Sequence, residues 1–291
     1  MVRSLLKLAN LFFSFLSVLT YILGAGIAHY LGRPIRTASF GLGLLAVLTL
    51  SGATFLLAGY FRLPLTLLAQ GETRSQREHF RVTLLQVSYA ALTLSAVAIL
   101  ILLLTHSLNL FSGILLILVF LFMMAYAIPP LRLSMSGYGE LVLAVYLGTL
   151  IPSLAFLLQY GQLHRLLSFT TFPLTLLALA YLLVCNFTTF ATDLKLGNHT
   201  LLTRLQWYRA VPIHHFLVLV VFLLFASAPF LGYPWRLIWP IFLVLPFAII
   251  QMIWLQHIAN GGRTLWTFLT ALASGTFGLT TYLLALTFWI R

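Results

Sequence analysis

Long apolar segments recur along the whole sequence, separated by short polar connections. A membrane-spanning helix needs about 20 mostly apolar residues to cross a hydrocarbon core about 30 Å thick. By this criterion the sequence predicts nine spans, at 8–30, 38–61, 82–105, 108–128, 138–159, 168–190, 211–231, 236–256 and 265–289. Residues that end helices separate several of them, including Gly32, Pro34, Pro64 and Pro129–Pro130. The predicted fold class is therefore all-α: a polytopic integral membrane protein in which residues 1–291 form a single domain of nine transmembrane helices.

The amino-acid composition excludes a soluble domain. Of the 291 residues, 62% are hydrophobic and 7% are charged, whereas soluble domains have about 25% charged residues. The formal net charge is +12, but the basic residues are scattered among short connections and form no patch for nucleic acid. Cys185 is the single cysteine, which excludes an internal disulfide. We therefore expect a protein of a bacterial or organellar inner membrane. Its expected partner is membrane lipid, and we expect it not to bind nucleic acid.

The distribution of lysine and arginine predicts the orientation. With the N-terminus in the cytoplasm, 11 of the 16 basic residues fall on the inner side, and the remaining five are Arg33, Arg36, Arg165, Arg236 and Arg291. Inner connections of membrane proteins are enriched in these residues, so the sequence predicts a cytoplasmic N-terminus. The two longest inner loops, 62–81 and 191–210, then lie on one membrane face.

Titratable residues are rare inside the predicted spans. Glu140 opens the fifth span, and Asp193 closes the sixth. The eight histidines are all predicted at span ends or in connections: His29, His79, His106, His164, His199, His214, His215 and His257. This distribution gives no support for a haem held by two facing histidines, a proton relay or an ion channel.

The segment Asn186–Ala210 holds the most concentrated polar chemistry. It contains Asp193, the only aspartate of the chain. If the preceding helix continues, Asn186, Thr189 and Asp193 lie on one of its faces, because they are spaced i, i+3 and i+7. Lys195 follows directly. A carboxylate, an amide and a lysine at a membrane boundary can form a polar binding site, and the alternative is an ordinary solvated connection between two spans.

Two segments contain specific sequence motifs in addition to apolar residues. Residues 126–161 read YAIPPLRLSMSGYGELVLAVYLGTLIPSLAFLLQYG, and residues 193–206 read DLKLGNHTLLTRLQ. The first resembles the Y-x-x-P-P-L-R-L and G-x-G-E-L motifs of the UbiA superfamily of membrane prenyltransferases. Its form of these motifs is most similar to that of the 1,4-dihydroxy-2-naphthoate polyprenyltransferase branch. The second resembles the second aspartate motif of that family, D-x-x-x-G-x-x-T-L-x-x-R-L-G, with Gln206 in place of the final glycine. The resemblance implies a bundle of nine helices around a central cavity and adds Tyr126, Arg132 and Arg204 to the candidate site residues Asp193, Asn186 and Lys195.

The first aspartate motif that the resemblance implies is degenerate. In the family, N-D-x-x-D-x-x-x-D closes the second span and binds Mg²⁺ against an isoprenyl diphosphate. Residues 58–66 of this sequence read AGYFRLPLT instead. Ala58 stands in place of the asparagine, Gly59 and Arg62 in place of the paired aspartates, and Thr66 in place of the last aspartate.

The second motif is also depleted, because Thr189 stands where an aspartate is expected. Asp193 is then the one candidate metal ligand. Mg²⁺ is usually held by one or two carboxylates together with waters and phosphate oxygens, and Arg62 would repel it. The guanidinium groups of Arg62 and Arg74 and the Lys195 ammonium could instead bind an anion directly.

Three functions stay open on these grounds. The first is a UbiA-like protein without magnesium-dependent catalysis, which needs no cofactor and binds an isoprenoid lipid, a quinone or a pigment tail, or acts as a subunit of a larger membrane complex. The second is an active prenyltransferase that uses Mg²⁺ in an altered site to move a polyprenyl chain onto an aromatic acceptor such as a naphthoate. The third is a transporter of isoprenoid lipids, although the internal inverted repeats typical of transporters are not visible. The loss of the first acidic motif favours the first function.

Overall fold

The computed structural model describes residues 10–65 and 73–290. Its α-helices are α1 (Leu11–Tyr30), α2 (Thr37–Arg62), α3 (Arg74–Leu104), α4 (Leu110–Ala127), α5 (Gly139–Val145), α6 (Ile151–Tyr160), α7 (Arg165–Phe187), α8 (Phe190–Leu196), α9 (Leu201–Ala226), α10 (Trp235–Ile238), α11 (Leu245–Ala259) and α12 (Trp266–Ile290). A π-helical turn, Tyr146–Leu150, joins α5 to α6. A 3-10 helix, Trp239–Val244, joins α10 to α11.

Nine helical segments within 10–65 and 73–290 are long and apolar enough to cross a membrane. Two of them are composite: Gly139–Tyr160 combines α5 with α6, and Trp235–Ala259 combines α10 with α11. The described residues form no strand, and only an isolated bridge joins Ser136 to His199. These findings confirm the predicted all-α membrane bundle. The cytoplasmic N-terminus stays a prediction.

The composite helix α5–α6 lies at the centre of the bundle. Its first half packs against α7, and its second half packs against α1 and α2. The last helix, α12, packs against both α1 and α7, while α3 packs along α2. The core consists largely of leucine and alanine side chains, and its large fully buried rings include Phe13, Phe156 and Phe277. This arrangement places the end of α2, the start of α5 and the end of α7 near one another at one end of the bundle.

The connection after α2 is not the long loop predicted at 62–81. The helix α3 begins at Arg74, where Thr73 and Gln76 form a capping box: each side chain accepts a hydrogen bond from the other residue's backbone N–H. The apolar pattern did not predict these first turns, because they are polar and extend the helix beyond its apolar part. Thr66, the last position of the degenerate motif, lies outside the described residues, as do Arg3 and Lys7.

The loop predicted at 191–210 is mostly helical as well. Its first part is α8 and its second part is the beginning of α9. Because α7 ends before Thr189, the expected single helical face carrying Asn186, Thr189 and Asp193 does not exist. The short helix α8 ends at Gly197, whose φ of 66° is typical of a left-handed helix C-terminus.

His214 and His215 lie in the middle of α9, which corrects the prediction that every histidine lies at a span end or in a connection. The error arises because α9 begins at Leu201 rather than at residue 211. His214 is fully buried, and His215 is partly buried.

Candidate functional site

Asp193 is a buried carboxylate whose two oxygens are both engaged. The residue is 5% exposed. Thr189 Oγ1 donates a hydrogen bond to its Oδ2 at 2.7 Å, and Asn198 Nδ2 donates one to its Oδ1 at 2.9 Å. Arg62 Nη2 lies 3.8 Å from the same Oδ1. The cation beside Asp193 is thus Arg62, and the ion pair connects the end of α2 to α8.

Glu140 is the second carboxylate here, although it is not among the candidate site residues predicted from the sequence. Asn186 Nδ2 donates a hydrogen bond to its Oε1. The backbone N–H of Leu201 donates to its Oε2 at 3.1 Å. The first N–H groups of a helix lack intrahelical partners and favour an anion, so Glu140 stabilises the start of α9. The available signal was its place in the G-x-G-E-L pattern, at the opening of a span in a chain with only four acidic residues.

A cavity of about 300 Å³ extends from Glu140 and Asn186 into the apolar interior. Its polar lining also includes Asn10 and Ser134, and its remaining lining is formed by Phe13, Phe55, Tyr126, Gly139, Leu143, Tyr181, Leu182 and Cys185. The Phe55 ring lies 5.0 Å from Phe13 and 5.9 Å from Tyr126, measured between centroids. The cavity therefore has a polar end and an aromatic, apolar wall.

A smaller cavity, of about 180 Å³, lies on the α2 side. It shares Phe55, Tyr126 and Ser134 with the larger cavity and is also lined by Ala58, Gly59, Arg62 and Met135. Three positions of the degenerate motif, Ala58, Gly59 and Arg62, thus face the same region as the larger cavity. Of these lining residues from α2, only Arg62 carries a charge.

Tyr126 and Arg132 are the tyrosine and the arginine of the motif Y-x-x-P-P-L-R-L. Tyr126 lines both cavities. The Arg132 guanidinium lies 5.4 Å from the centroid of the Phe61 ring, within the range of a cation–π contact. Its Nε atom is buried and has no hydrogen-bond partner among the described residues. Arg132 therefore packs against the end of α2.

Arg204 and Lys195 are not brought to the carboxylates. The Arg204 guanidinium lies 4.4 Å from the centroid of the Tyr138 ring. Its side chain passes over Gly137, where an added Cβ would lie 2.3 Å from Arg204 Nε. Lys195 is exposed on α8. Within the described ranges, neither residue forms an ion pair with Asp193 or Glu140.

The donors in this region do not fit the magnesium site that the resemblance implies. Mg²⁺ requires near-octahedral oxygen coordination. The lining residues Ala58 and Gly59 offer no side-chain ligand, Arg62 is a cation, and both carboxylates already accept hydrogen bonds from the protein. Among the described residues, no group of three or more His, Cys, Asp or Glu side chains could hold a metal ion.

No protein-family model and no curated protein matches the sequence, but solved structures do. A UbiA homologue from Archaeoglobus fulgidus bound to GPP and Mg²⁺ matches with a TM-score of 0.61 and 14% identity, over 96% of this chain and 99% of that chain. A UbiA homologue from Archaeoglobus fulgidus bound to Cd²⁺ matches with a TM-score of 0.57 and 14% identity, over 96% and 98%. A structure of digeranylgeranylglyceryl phosphate synthase matches with a TM-score of 0.56 and 13% identity, over 99% and 97%. At such low identity the likeness concerns the fold alone, and the chain has the same fold as these UbiA homologues.

Proposed function

We propose that this protein binds an isoprenoid lipid in the central cavity and does not perform Mg²⁺-dependent prenyl transfer. The observation that carries the proposal is the ion pair between Arg62 and Asp193. Where the family resemblance implies an aspartate that binds metal, this chain has a guanidinium, and that guanidinium lies beside the acidic residue retained from the second motif. The negative charge that would attract Mg²⁺ is therefore offset within the protein.

The use of the carboxylate oxygens supports the same conclusion. Prenyl transfer from an allylic diphosphate requires neutralisation of the charge that develops on the leaving group. Asp193 and Glu140 instead hold together α2, α5, α7, α8 and the start of α9. Because each 1.36 kcal/mol of transition-state stabilisation corresponds to about a tenfold change in rate, losing about 4 kcal/mol would slow the reaction about a thousandfold.

The cavity lining supports an amphipathic ligand of modest size. Its volume of about 300 Å³ lies at the lower end of the range for small-molecule pockets, about 300–1,000 Å³. The wall of Phe13, Phe55 and Tyr126 suits a prenyl chain, a quinone or a pigment tail, and the polar end can hold a carbonyl or hydroxyl head group. The GPP bound to the archaeal homologue of the same fold supports the isoprenoid class. A protein of this kind can also serve as a lipid-binding subunit of a larger membrane complex.

One observation favours a second candidate, the altered-site prenyltransferase. Arg62 lines the smaller cavity and its side chain is 50% exposed. A guanidinium in that position can bind phosphate oxygens directly. Such a site would take the diphosphate without the metal ligands of the first motif.

The test uses the full chain in lipid nanodiscs with a photoreactive prenyl alcohol as the probe. We expect cross-links to Tyr126, Tyr181 or Cys185, mapped by mass spectrometry. The variant Leu143→Trp fills the cavity and should abolish them, whereas Leu141→Trp is the matched control, because Leu141 is 38% exposed and Leu143 is 7% exposed.

A parallel assay supplies geranylgeranyl diphosphate, 1,4-dihydroxy-2-naphthoate and Mg²⁺. We expect no product with the unmodified protein. Product formation that EDTA abolishes would overturn the proposal in favour of the altered-site transferase, and cross-links unaffected by Leu143→Trp would overturn the assignment of the cavity.

A further inference from the structure

A second polar cleft lies between α9 and α11. Its volume is about 480 Å³, and its lining residues are His215, Met252, Ile253, Gln256, His257 and Asn260. None of these residues lines the two cavities described above, and none is an acid, a lysine or an arginine. Exposed apolar side chains flank the cleft on both helices: Phe216 on α9 and Ile253 on α11 are each 63% exposed. The cleft therefore adjoins a surface that faces lipid in a nine-span bundle.

A chain of buried polar groups leads inward from the cleft. His215 Nδ1 lies 3.3 Å from His214 Nδ1, and His214 Nε2 lies 2.8 Å from Gln251 Nε2. His214 is 0% exposed and Gln251 is 2% exposed. Gln251 Oε1 and the neighbouring Trp254 Nε1 are both buried without a hydrogen-bond partner in the described chain. Polar groups are costly inside a membrane helix and usually mark functional positions. We therefore interpret this series of buried polar side chains as part of a binding site.

The two imidazole rings must have opposite tautomers, because a contact between two Nδ1 atoms needs one donor and one acceptor. If Gln251 Nε2 donates to His214, then His214 donates from Nδ1 and His215 carries its proton on Nε2. Turning the Gln251 amide by 180° reverses every bond, and His215 Nε2 becomes an acceptor. Carbonyl groups of Val211 and Met252 also lie near the His215 ring, so a ligand must compete with them. The chain can thus offer a ligand either a donor or an acceptor without any net charge.

We propose that this cleft binds the uncharged head group of a quinone or quinol that enters from the lipid phase. A quinone presents carbonyl oxygens that need donors, and a quinol presents hydroxyl groups that also need acceptors. The histidine–glutamine chain can satisfy both. A phosphate or carboxylate head group would instead need a cation, and no residue lining the cleft is a lysine or an arginine.

The far side of the cleft supplies the second set of partners. Gln256 Nε2 donates to Asn260 Oδ1 at 3.0 Å, which leaves the other atoms of both exposed amides for a ligand. The His257 ring lies 5.6 Å from the Trp254 ring. Met252 offers a polarizable sulfur, which makes favourable contacts with flat rings. A ring with oxygens at opposite ends can therefore contact both sides of the cleft.

The turn after α11 fixes the position of His257. An added Cβ at Gly262 would lie 2.2 Å from His257 Nε2. The imidazole therefore lies directly against the backbone of the turn, and a larger residue at this position must displace it. Gly262→Val consequently changes the cleft without replacing any residue that lines it.

The test measures binding of a prenylated 1,4-naphthoquinone, and of its quinol under dithionite, to the full chain in phosphatidylcholine nanodiscs. We expect His215→Leu to raise the Kd for both forms about tenfold, the order expected for one lost hydrogen bond. His79→Leu is the matched control, because His79 lies on α3 and lines neither site. The paired change Gln256→Leu with Asn260→Leu alters only exposed side chains and should also raise the Kd, so the proposal stays testable if His215→Leu fails to fold.

The same measurement with Leu143→Trp separates this cleft from the central cavity. We expect binding at the cleft to persist in that variant, whatever the outcome for the isoprenoid proposed above. Loss of binding with Leu143→Trp but not with His215→Leu would overturn the assignment. So would displacement of the quinone by inorganic phosphate or phosphatidylglycerol, because that result would identify an anion site, and so would the absence of saturable binding.

Discussion

Arg62 and Asp193 form an ion pair between the end of α2 and the short helix α8, with 3.8 Å between Nη2 and Oδ1. The carboxylate is almost completely buried, whereas the guanidinium side chain is 50% exposed. A buried carboxylate without a partner is unfavourable, and here the partner occupies a position where the family resemblance implies a second carboxylate. The pair therefore stabilises the connection between two helices where a metal site is expected.

Removing this ion pair should have a small effect on stability. The Arg62 side chain is half exposed, so water screens the interaction, and exposed pairs contribute about 0–1 kcal/mol. We expect a double-mutant cycle of Arg62→Leu and Asp193→Asn to give a coupling energy within that range, measured by unfolding in mixed detergent micelles. Lys195→Leu with Asp193→Asn is the control and should show no coupling. A coupling energy well above about 1 kcal/mol would show that the pair is more deeply buried in solution.

Replacing Glu140 should have a larger effect. Glu140→Gln keeps the size of the side chain but removes a charge that accepts hydrogen bonds from Asn186 and from the start of α9. The neutral amide accepts hydrogen bonds more weakly than a carboxylate, and its NH2 group finds an acceptor on Asn186 only if the Asn186 amide turns over. We therefore expect a loss of about 1–3 kcal/mol in the free energy of unfolding. Glu78→Gln is the matched control, because the Glu78 side chain is 64% exposed. Its effect should lie within about 0.5 kcal/mol. Equal effects of the two changes would contradict the structural role of Glu140.

Restoring the acidic motif should create magnesium binding. The combined variant replaces Ala58→Asn, Gly59→Asp, Arg62→Asp, Thr66→Asp and Thr189→Asp. We expect that adding Mg²⁺ to a sample with geranylgeranyl diphosphate raises the Tm of this variant above its value with the diphosphate alone, because a ligand that binds the folded state stabilises it. In the unmodified protein the addition of Mg²⁺ should leave the Tm unchanged. A magnesium-dependent rise in the unmodified protein would show that its carboxylates suffice for the metal.

The orientation can be tested with single cysteines at the exposed position of Ser75 and the half-buried position of Asn198. In a Cys185→Ala background, Ser75→Cys lies in the first turn of α3 and Asn198→Cys lies just after α8. If the N-terminus is cytoplasmic, neither thiol should react with an impermeant maleimide added to intact cells, and both should react after permeabilisation. Labelling of either cysteine in intact cells would reverse the topology.

The number and order of the spans could be predicted from sequence because each one needs a long apolar run, and that requirement depends on no tertiary contact. The polar ends of the helices could not be found in the same way. The first turns of α3 and α9 depend on the capping residues Thr73 and Thr200, which provide local hydrogen bonds rather than hydropathy. Placing the start of α9 too late also led to the wrong position for His214.

The candidate site was only partly predictable for a different reason. Asp193 could be predicted as a site residue because it is the only aspartate of the sequence. A cationic neighbour could also be predicted, because a buried charge needs a partner. Glu140 could not be assigned its role, because its partners lie 46 and 61 positions away along the chain. Such contacts are set by how α5, α7 and α9 pack, which no local pattern encodes. Arg204 and Lys195 were predicted as site residues from motif position and charge. In the fold, Arg204 instead packs on Tyr138 and Lys195 is exposed.

The π-helical turn at Tyr146–Leu150 determines how one membrane segment serves both halves of the bundle. Such a turn usually inserts one extra residue into an α-helix, and each residue of an α-helix corresponds to a rotation of about 100°. The angular phase of α5, with Glu140 and Leu143 at the cavity, is therefore offset from that of α6, which packs on α1 and α2. Deleting a single residue from the turn would restore a uniform phase and rotate Glu140 and Leu143 away from the cavity while leaving the apolar length of the segment almost unchanged.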